Sequence, residues 1–392
     1  MKLKSIVFVF FLLFTTSAFA QEEVLPVVRN TIVSTGINFQ VWRVGHSNNP
    51  ISQISFPISI IMPVKQNLSI SITHTPSFSW LYTNNKISGL SDTWVQGSYV
   101  LFDDKFMMDL GVGVPTGKKG LTNTEYNLSR LLSKRVYHFR VPVMGQGFCV
   151  KAGFAGAYDV SENLIFGIGA SFIKKTGYNP VVYTYSYHIT ADSIVTTQWD
   201  GIYKPGDELT VNIGFDFKIA EQMKLMFDAL YTRYGKDERD GREVFEAGNR
   251  VDLNLGFFWR TSDDRYLWFR GIYRQSGKNE LQQGLYFKEE GKNTNGPQAE
   301  FYLKYKILPF RRGGVFVNAE TRFYGMNEEG WGGARVYGGG LNVQYNFTQT
   351  ARFVSNIKYM VGSLRDLSDD SKTINSVSIE GFELGLGFQF EL

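Results

Sequence analysis

The sequence predicts an all-β chain folded as a transmembrane antiparallel up-and-down β-barrel of about sixteen strands. Three observations predict it. The first is the way the chain ends. From Val377 to Leu392, Phe382, Leu384, Leu386, Phe388, Phe390 and Leu392 fall on one parity, and Glu383, Gly385, Gly387, Gln389 and Glu391 on the other. A period of two gives a strand one apolar and one polar face. In a soluble sandwich such a strand would be an exposed edge. In a barrel it pairs with the first strand and closes the cylinder, and its aromatic face resembles the C-terminal signal read by the barrel-assembly machinery of Gram-negative bacteria.

The second observation is export without later helices. Lys2 and Lys4 precede an apolar run from Ile6 to Phe14, which ends at Ala18-Phe19-Ala20 before Gln21. This reads as a signal peptide over residues 1–20, leaving residues 21–392 as one domain. No Cys follows the cleavage site, which speaks against a lipoprotein anchor. No later stretch reaches the ~20 apolar residues of a membrane-spanning helix. Aromatic residues make up 15% of the chain, with 40 Gly and 11 Pro, yet mean hydropathy is −0.17. Alternating lipid-facing and lumen-facing residues average out in this way. Cys149 stands alone, so there is no disulfide framework, and a net charge of +4 is too small to imply nucleic acid.

The third is a sorting of connections by length. Val33 to Arg43 and Ile54 to Met62 read as the first strands, and Lys65-Gln66-Asn67 turns the chain into Leu68 to His74. Thr93 to Phe102 turns at Asp103-Asp104 into Phe106 to Val114. Phe148 to Tyr158 turns at Ser161-Glu162-Asn163 into Leu164 to Phe172. Leu209 to Ile219 pairs with Met223 to Tyr234, Val251 to Trp259 with Leu267 to Tyr273, and Phe301 to Ile307 with Val315 to Phe323. Tyr337 to Phe347 and Phe353 to Val361 precede the closing strand. An even strand count puts every short turn at the periplasmic end and every long connection outside: Thr75 to Leu90, Pro115 to Gly145, Gly177 to Gly206, Gly235 to Gly248, and Gly277 to Gly296. Fourteen strands with the first segments as a plug is the alternative. Within the loop 115–145, Thr122-Asn123-Thr124-Glu125 fits a capping box, and Leu128, Leu131, Leu132 and Val136 recur at helical spacing. A short amphipathic helix is expected there, packed on the extracellular rim rather than closing the pore as a lid.

Between Gly89 and Gly177 the chain carries Gly89-Leu-Ser-Asp-Thr93, a hairpin, Gly113-Val-Pro-Thr-Gly117, then Gly145-Gln-Gly147 and a second hairpin. This resembles the outer-membrane barrel family named after a phenol meta-degradation pathway, related to FadL-type transporters of hydrophobic compounds. Ser91-Asp92-Thr93 stands where Gly-Asp-Thr is more usual. The resemblance implies passive uptake of small, often aromatic, hydrophobic molecules.

Catalytic chemistry finds little support. His46, His74, His138 and His188 show no metal-ligand spacing, and neither the nucleotide-type Gly117-Lys118 nor Gly167-x-Gly169 completes a phosphate-binding motif. The chain is expected not to be an enzyme, and no cofactor or metal is called for. The lumen parity is more informative. From Arg250 to Lys358 it carries Arg250, Arg260, Arg270, Arg274, Lys304, Lys306, Arg322, Arg352 and Lys358, against Asp252, Glu300 and Glu320. One reading is a salt-bridged, water-filled lining; the other is a cationic stripe that attracts anions or the carboxylate of an amphiphile. The same parity carries Trp42, Trp94, Phe258, Tyr266, Trp268, Tyr302, Phe316 and Tyr324. These rings either pack under an inward-folded loop or plug, or bind a flat apolar ligand.

Pro57 lies inside the strand Ile54 to Met62, at lumen parity. Proline gives no N–H to a ladder. Either an ordinary bulge or a lateral portal, lined by Trp42 and Trp94, follows. The expected protein is a cell outer-membrane channel for small hydrophobic or amphipathic solutes. A diffusion porin for polar, mildly anionic solutes is the alternative, and a surface enzyme or adhesive barrel a third class. Its expected partners are outer-membrane lipid and lipopolysaccharide, the assembly machinery and a small-molecule solute.

Overall fold

The last strand finds the first. The computed structural model describes residues 30–45, 49–81, 85–190, 193–199, 201–283, 286–330, 332–367 and 374–392. In it β1 (Ile32–Val44) lies antiparallel to β16 (Ile374–Glu391), from Ile32 opposite Glu391 to Val44 opposite Ile379. Beyond the ladder the Thr31 N–H donates to Leu392 O at 3.2 Å, and the Leu392 N–H to Thr31 O at 2.8 Å. The expected signal peptide and His46 lie outside the described residues.

Between these two run β2 (Ile58–Lys65), β3 (Leu68–His74), β4 (Thr93–Leu101), β5 (Phe106–Val114), β6 (Cys149–Ser161), β7 (Leu164–Lys175) and β8 (Glu208–Ala220). Then come β9 (Met223–Tyr234), β10 (Arg250–Ser262), β11 (Arg265–Ser276), β12 (Gln298–Phe310), β13 (Gly313–Tyr324), β14 (Ala334–Asn346) and β15 (Ala351–Leu367). Each pairs antiparallel with its neighbours in sequence, and the ring of sixteen closes. The first segments are wall, not plug. Short turns join the strands at one end, and the long connections all lie at the other.

Alternation decides what each strand shows. Phe154, Ile168, Ile213, Phe215, Leu255, Leu303, Leu341 and Leu386 are exposed on the outside, while Asp109, Asp216, Asp252, Glu300, Glu320 and Glu383 are buried inside. In hydrocarbon every peptide group has to be satisfied within the protein, and a closed ladder does this while an apolar belt meets lipid. The register puts Arg250, Arg260, Arg270, Arg274, Lys304, Arg322, Trp268 and Tyr302 on the inner face, on the same parity as the buried carboxylates.

The connections at the long end have more structure than turns. Tyr183–Thr190 pairs with Ser193–Trp199, and Tyr203–Lys204, Lys236–Arg239, Arg242–Glu246, Glu280–Gln283 and Tyr286–Glu289 form a five-stranded sheet. Asp240 and Gly241, with φ of 51° and 75°, supply the left-handed pair that a two-residue hairpin turn requires. The stretch 75–90, expected as a loop, is a further hairpin of Pro76–Leu81 and Asn85–Leu90. With Ile51–Ser55 these are outer segments that continue β2, β3 and β4 beyond an interruption.

The facing of the strands has a direct test. Arg in place of Phe154 or Phe215 on the outside should cost about 2–4 kcal/mol and impair membrane insertion. Arg in place of the inner-face residues Asn212 or Asn254 should leave insertion intact. Insertion yield in outer-membrane fractions measures both, and equal losses would overturn the assignment of faces.

Candidate functional site in the loop-filled lumen

The longest departure from barrel geometry is the connection from Val114 to Cys149, and it folds inward. Its helix α1 (Asn123–Leu132) starts at a complete capping box. Thr122 Oγ1 accepts from the Glu125 N–H at 3.4 Å, and Glu125 Oε2 accepts from the Thr122 N–H at 3.1 Å. Burial alone would raise the Glu125 carboxyl, but the Lys118 ammonium bonded to it and the Thr122 bonds hold it below its ordinary value. Leu128 and Leu132 are buried, a 3-10 turn follows at Arg135–Tyr137, and His138 turns the chain with φ of 49°.

What this loop meets is the inner wall. Trp42 of β1, 0% exposed, packs against Tyr137 with ring centroids 5.5 Å apart, and the Arg322 guanidinium lies 5.6 Å from the Trp42 ring. Ile51, Ile87, Leu128, Leu132, Val136, Phe139, Val141 and Met144 share one buried cluster with Val336, Met360 and Ile379 of β14 to β16. Gly381 opposite Trp42 leaves the notch for the indole: a Cβ there would stand 2.9 Å from the ring. The helix is therefore not confined to the rim as the sequence suggested. An amphipathic face needs an apolar surface, and the described wall offers one inside the mouth.

Two glutamines hold the extended part like strands of peptide. Gln40 Nε2 donates to His138 O at 2.9 Å while its Oε1 accepts from the Arg140 N–H at 2.8 Å. Gln53 Nε2 donates to Val141 O and its Oε1 accepts from the Val141 N–H, both at 2.9 Å. Ionic groups add position. Arg322 donates to Val136 O at 2.9 Å, His138 meets Glu300 at 3.1 Å and Tyr324 at 3.0 Å, and Arg140 meets Glu383 at 3.1 Å.

The stems of the loop meet at one carboxylate. Asp92 accepts from the Gly117 N–H at 2.9 Å and from the Gln146 N–H at 2.6 Å, and its own N–H donates to Met144 O at 3.2 Å. The Lys118 N–H donates to Leu90 O and the Gly145 N–H to Lys118 O, both at 3.1 Å. Here the Gly-rich motifs find their reason. A Cβ on Gly117 would come within 2.6 Å of the Gly145 Cα, and Gly147 has φ of 85°. Segments 89–93, 113–117 and 145–147 thus converge on a single clasp.

The wall is interrupted at the same level. Thr35 faces Ile58 and Asn38 faces Ser55, so the β1–β2 register runs unchanged across Phe56 and Pro57. No residue is inserted, and the bulge expected at Pro57 is absent. Phe56 donates to Pro76 O at 2.9 Å, which turns the Pro57 nitrogen towards β1. Among the described residues, no backbone hydrogen bond joins Pro57 to β1. The bulge lies two strands away. Thr73 faces Trp94 below and Pro76 faces Leu90 above, which leaves one extra residue at Ser91-Asp92. There the Ser91 hydroxyl accepts from the Thr75 N–H at 3.0 Å, in place of a carbonyl.

The sequence-predicted residues fall into four places. Arg250 and Arg274 flank Asp252, while Arg322 and Tyr302 belong to the network under the loop, Tyr302 donating to Glu300 at 2.7 Å. Near the short-turn end the Lys304 ammonium lies 4.6 Å from the Phe316 ring, with Tyr266 and then Phe258 packed beside it at tilted angles; Trp268, Arg260 and Arg270 line the same strands. Trp94 lies at the clasp against Gly113, whereas Trp42 is enclosed by the loop rather than by a portal. Gln40 and Gln53 were not singled out by sequence; uncharged amides on the lumen parity were the available signal. The side chain of His188 lies outside the described residues.

No family model matches the chain, and no curated protein matches it. Among solved structures it is similar to the TodX ΔS2S3 mutant, a monoaromatic hydrocarbon channel, at 9% identity over 93% of this chain and 91% of that one, with a TM-score of 0.44. A FadL homologue from Pseudomonas aeruginosa gives 7% identity, 93% and 90% coverage and a TM-score of 0.43. An outer-membrane channel from Pseudomonas putida F1 gives 11% identity, 95% and 98% coverage and 0.37. These are distant likenesses, and what those channels conduct is a property of those proteins.

Removing the clasp should free the loop. Each hydrogen bond to the Asp92 carboxylate is worth about 1.5–3 kcal/mol. Asp92→Ala should raise single-channel conductance and its fluctuation while the barrel keeps its resistance to detergent, and Asp92→Asn should fall between. Wild-type conductance in Asp92→Ala would show that the glutamines and ion pairs hold the loop unaided.

Proposed function

We propose that the chain is an outer-membrane channel for the passive uptake of small hydrophobic or amphipathic molecules. Solute enters among the long loops, is held against the inward loop and its apolar cluster, and leaves sideways through the wall at Pro57. The observation that carries this is the coincidence of level. Three neighbouring strands are interrupted where the loop stems are clamped, and the outer lumen beside them is filled with apolar side chains. A polar lumen is a poor path for an apolar solute, so a route into lipid is the physical alternative. Phe56 and Ile58 are exposed on the lipid side of the interruption, and Trp94 stands on its inner side. The protein acts without catalysis, its outer belt meets lipid and lipopolysaccharide, and its terminal aromatic strand presents it to the assembly machinery.

A second reading, a diffusion porin for polar and mildly anionic solutes, is favoured by one feature. The inner face of β10 to β12 carries Arg250, Arg260, Arg270, Arg274, Lys304 and Lys306 against Asp252 and Glu300.

Pro57→Val supplies the missing N–H. It should slow toluene uptake into whole cells several-fold while membrane yield and small-ion conductance stay at wild-type values. Undiminished toluene uptake would remove the portal. A steady nanosiemens-scale conductance in the wild-type protein, without toluene uptake, would decide for the porin.

A further inference from the structure

Two guanidinium groups meet one carboxylate at the long-loop end of the lumen, and a third lies beside them. Arg250 Nε donates to Asp252 Oδ2 at 2.7 Å, and Arg274 Nε donates to Asp252 Oδ1 at 2.5 Å. Arg135, brought in by the 3-10 turn of the inward loop, donates from Nη1 to Gln298 Oε1 at 3.1 Å, and Gln298 faces Arg274 in the ladder. The Arg250 guanidinium also lies 5.7 Å from the Tyr234 ring.

The charges do not balance. Of the other acids on the inner wall, Glu300 is engaged by His138, Tyr302 and Tyr324, and Glu208 by Lys175. Asp252 is buried with both oxygens taken, while the side chains of Arg250 and Arg274 remain 25% and 30% exposed. Both arginines bond Asp252 through Nε. Among the described residues their terminal amino groups therefore have no acceptor. Enclosure in the barrel mouth, and after it the facing charges of Arg274 and Arg250, push the Arg135 guanidinium below its ordinary value. Like charges held in a half-enclosed concavity repel one another until an anion joins them. Planar forks with open N–H pairs fit the oxygens of a carboxylate or phosphate two at a time. Leu230 and Ile272 share this inner face, Leu230 facing Asp252 and Ile272 facing Asn254, so an apolar tail has a surface beside the charges.

We propose that Arg135, Arg250 and Arg274 form an oxoanion site that receives the carboxylate or phosphate end of an incoming amphipathic molecule. The proposal rests on the channel reading for the ligand's route, not for the binding itself.

Calorimetric titration of the purified full-length barrel in detergent tests it, with sodium octanoate, octan-1-ol and inorganic phosphate as probes. Octanoate should bind more tightly than octanol, and Arg274→Gln should weaken octanoate about tenfold, or about 1.4 kcal/mol. Asp252→Asn removes the competing carboxylate and should tighten octanoate several-fold, which a purely structural role would not produce. If phosphate alone binds with the same response to both variants, the oxoanion is a phosphate. Equal affinity for octanoate and octanol without phosphate binding would overturn the site, as would affinities unchanged in both variants. Should Arg274→Gln lose its heat-dependent gel mobility, Asp252→Asn decides by itself. Toluene uptake by the wild-type protein separates the two readings: uptake without anion binding removes only the site, and anion binding without uptake removes only the hydrophobic channel.

Discussion

A peptide group left unpaired in hydrocarbon costs several kcal/mol, and that constraint shapes the rest of this barrel. It is why β16 pairs back to β1, and why the two stay in register over their whole shared length. It also makes Pro57 unusual. The wall tolerates a missing donor there because the register is kept on both sides and the Phe56 N–H still reaches Pro76. The interruption is narrow, and it lies at the level of the Ser91-Asp92 bulge and the loop stems. Weakness in the wall and attachment of the loop are one local structure.

A ring of this size encloses more space than its own side chains fill. The inward loop fills the outer part, and charge fixes where it sits. Glu383 meets Arg140 of the loop at 3.1 Å and Lys358 of the wall at 3.4 Å; Glu320 meets Lys358 at 2.9 Å and Arg322 at 3.2 Å. Such groups are desolvated, and removing one partner leaves a buried charge at a cost of about 3–5 kcal/mol. The network therefore specifies position more than it adds stability. Apolar packing of Trp42, Tyr137, Val136 and Met360 supplies the latter, at roughly 1.5–3 kcal/mol for each fully buried aliphatic side chain.

Much of this was legible in the sequence because a strand's period is fixed. Once Phe154, Phe215 or Leu386 is put outside, every Arg and Glu of the neighbouring strands is assigned, and strand number follows from the sorting of short and long connections. The direction of the loop was not legible. An amphipathic helix reads the same on a rim as in a lumen, and the partners that decide are far away in the chain: Arg140 and Glu383 are 243 positions apart. The available signal was apolar residues beyond the helix, Val136, Tyr137, Phe139, Val141 and Met144, in a connection that would otherwise face water. For Trp42 the sequence left a covering loop and a portal both open, and its cover comes from Tyr137 of the loop. Pro57 marked the interruption correctly but not the bulge, because the extra residue follows from the pairing of Thr75 with Ser91, which no local pattern encodes.

The loop is attached by two kinds of chemistry. At the clasp and the two glutamines its backbone bonds to groups of the wall, through one carboxylate and two side-chain amides. Towards β12 and β16 it is attached by His138 to Glu300 and Arg140 to Glu383. Arg135, on the same short turn, faces Arg250 and Arg274 instead of an acid. Bonds to backbone amides tolerate salt, and the part-buried Arg140–Glu383 pair is screened less than a half-exposed cluster of like charges. Of the loop's contacts, the side of Arg135 is therefore the one most exposed to the ionic conditions outside. It is also the side that an anion from solution can reach without displacing any part of the apolar cluster.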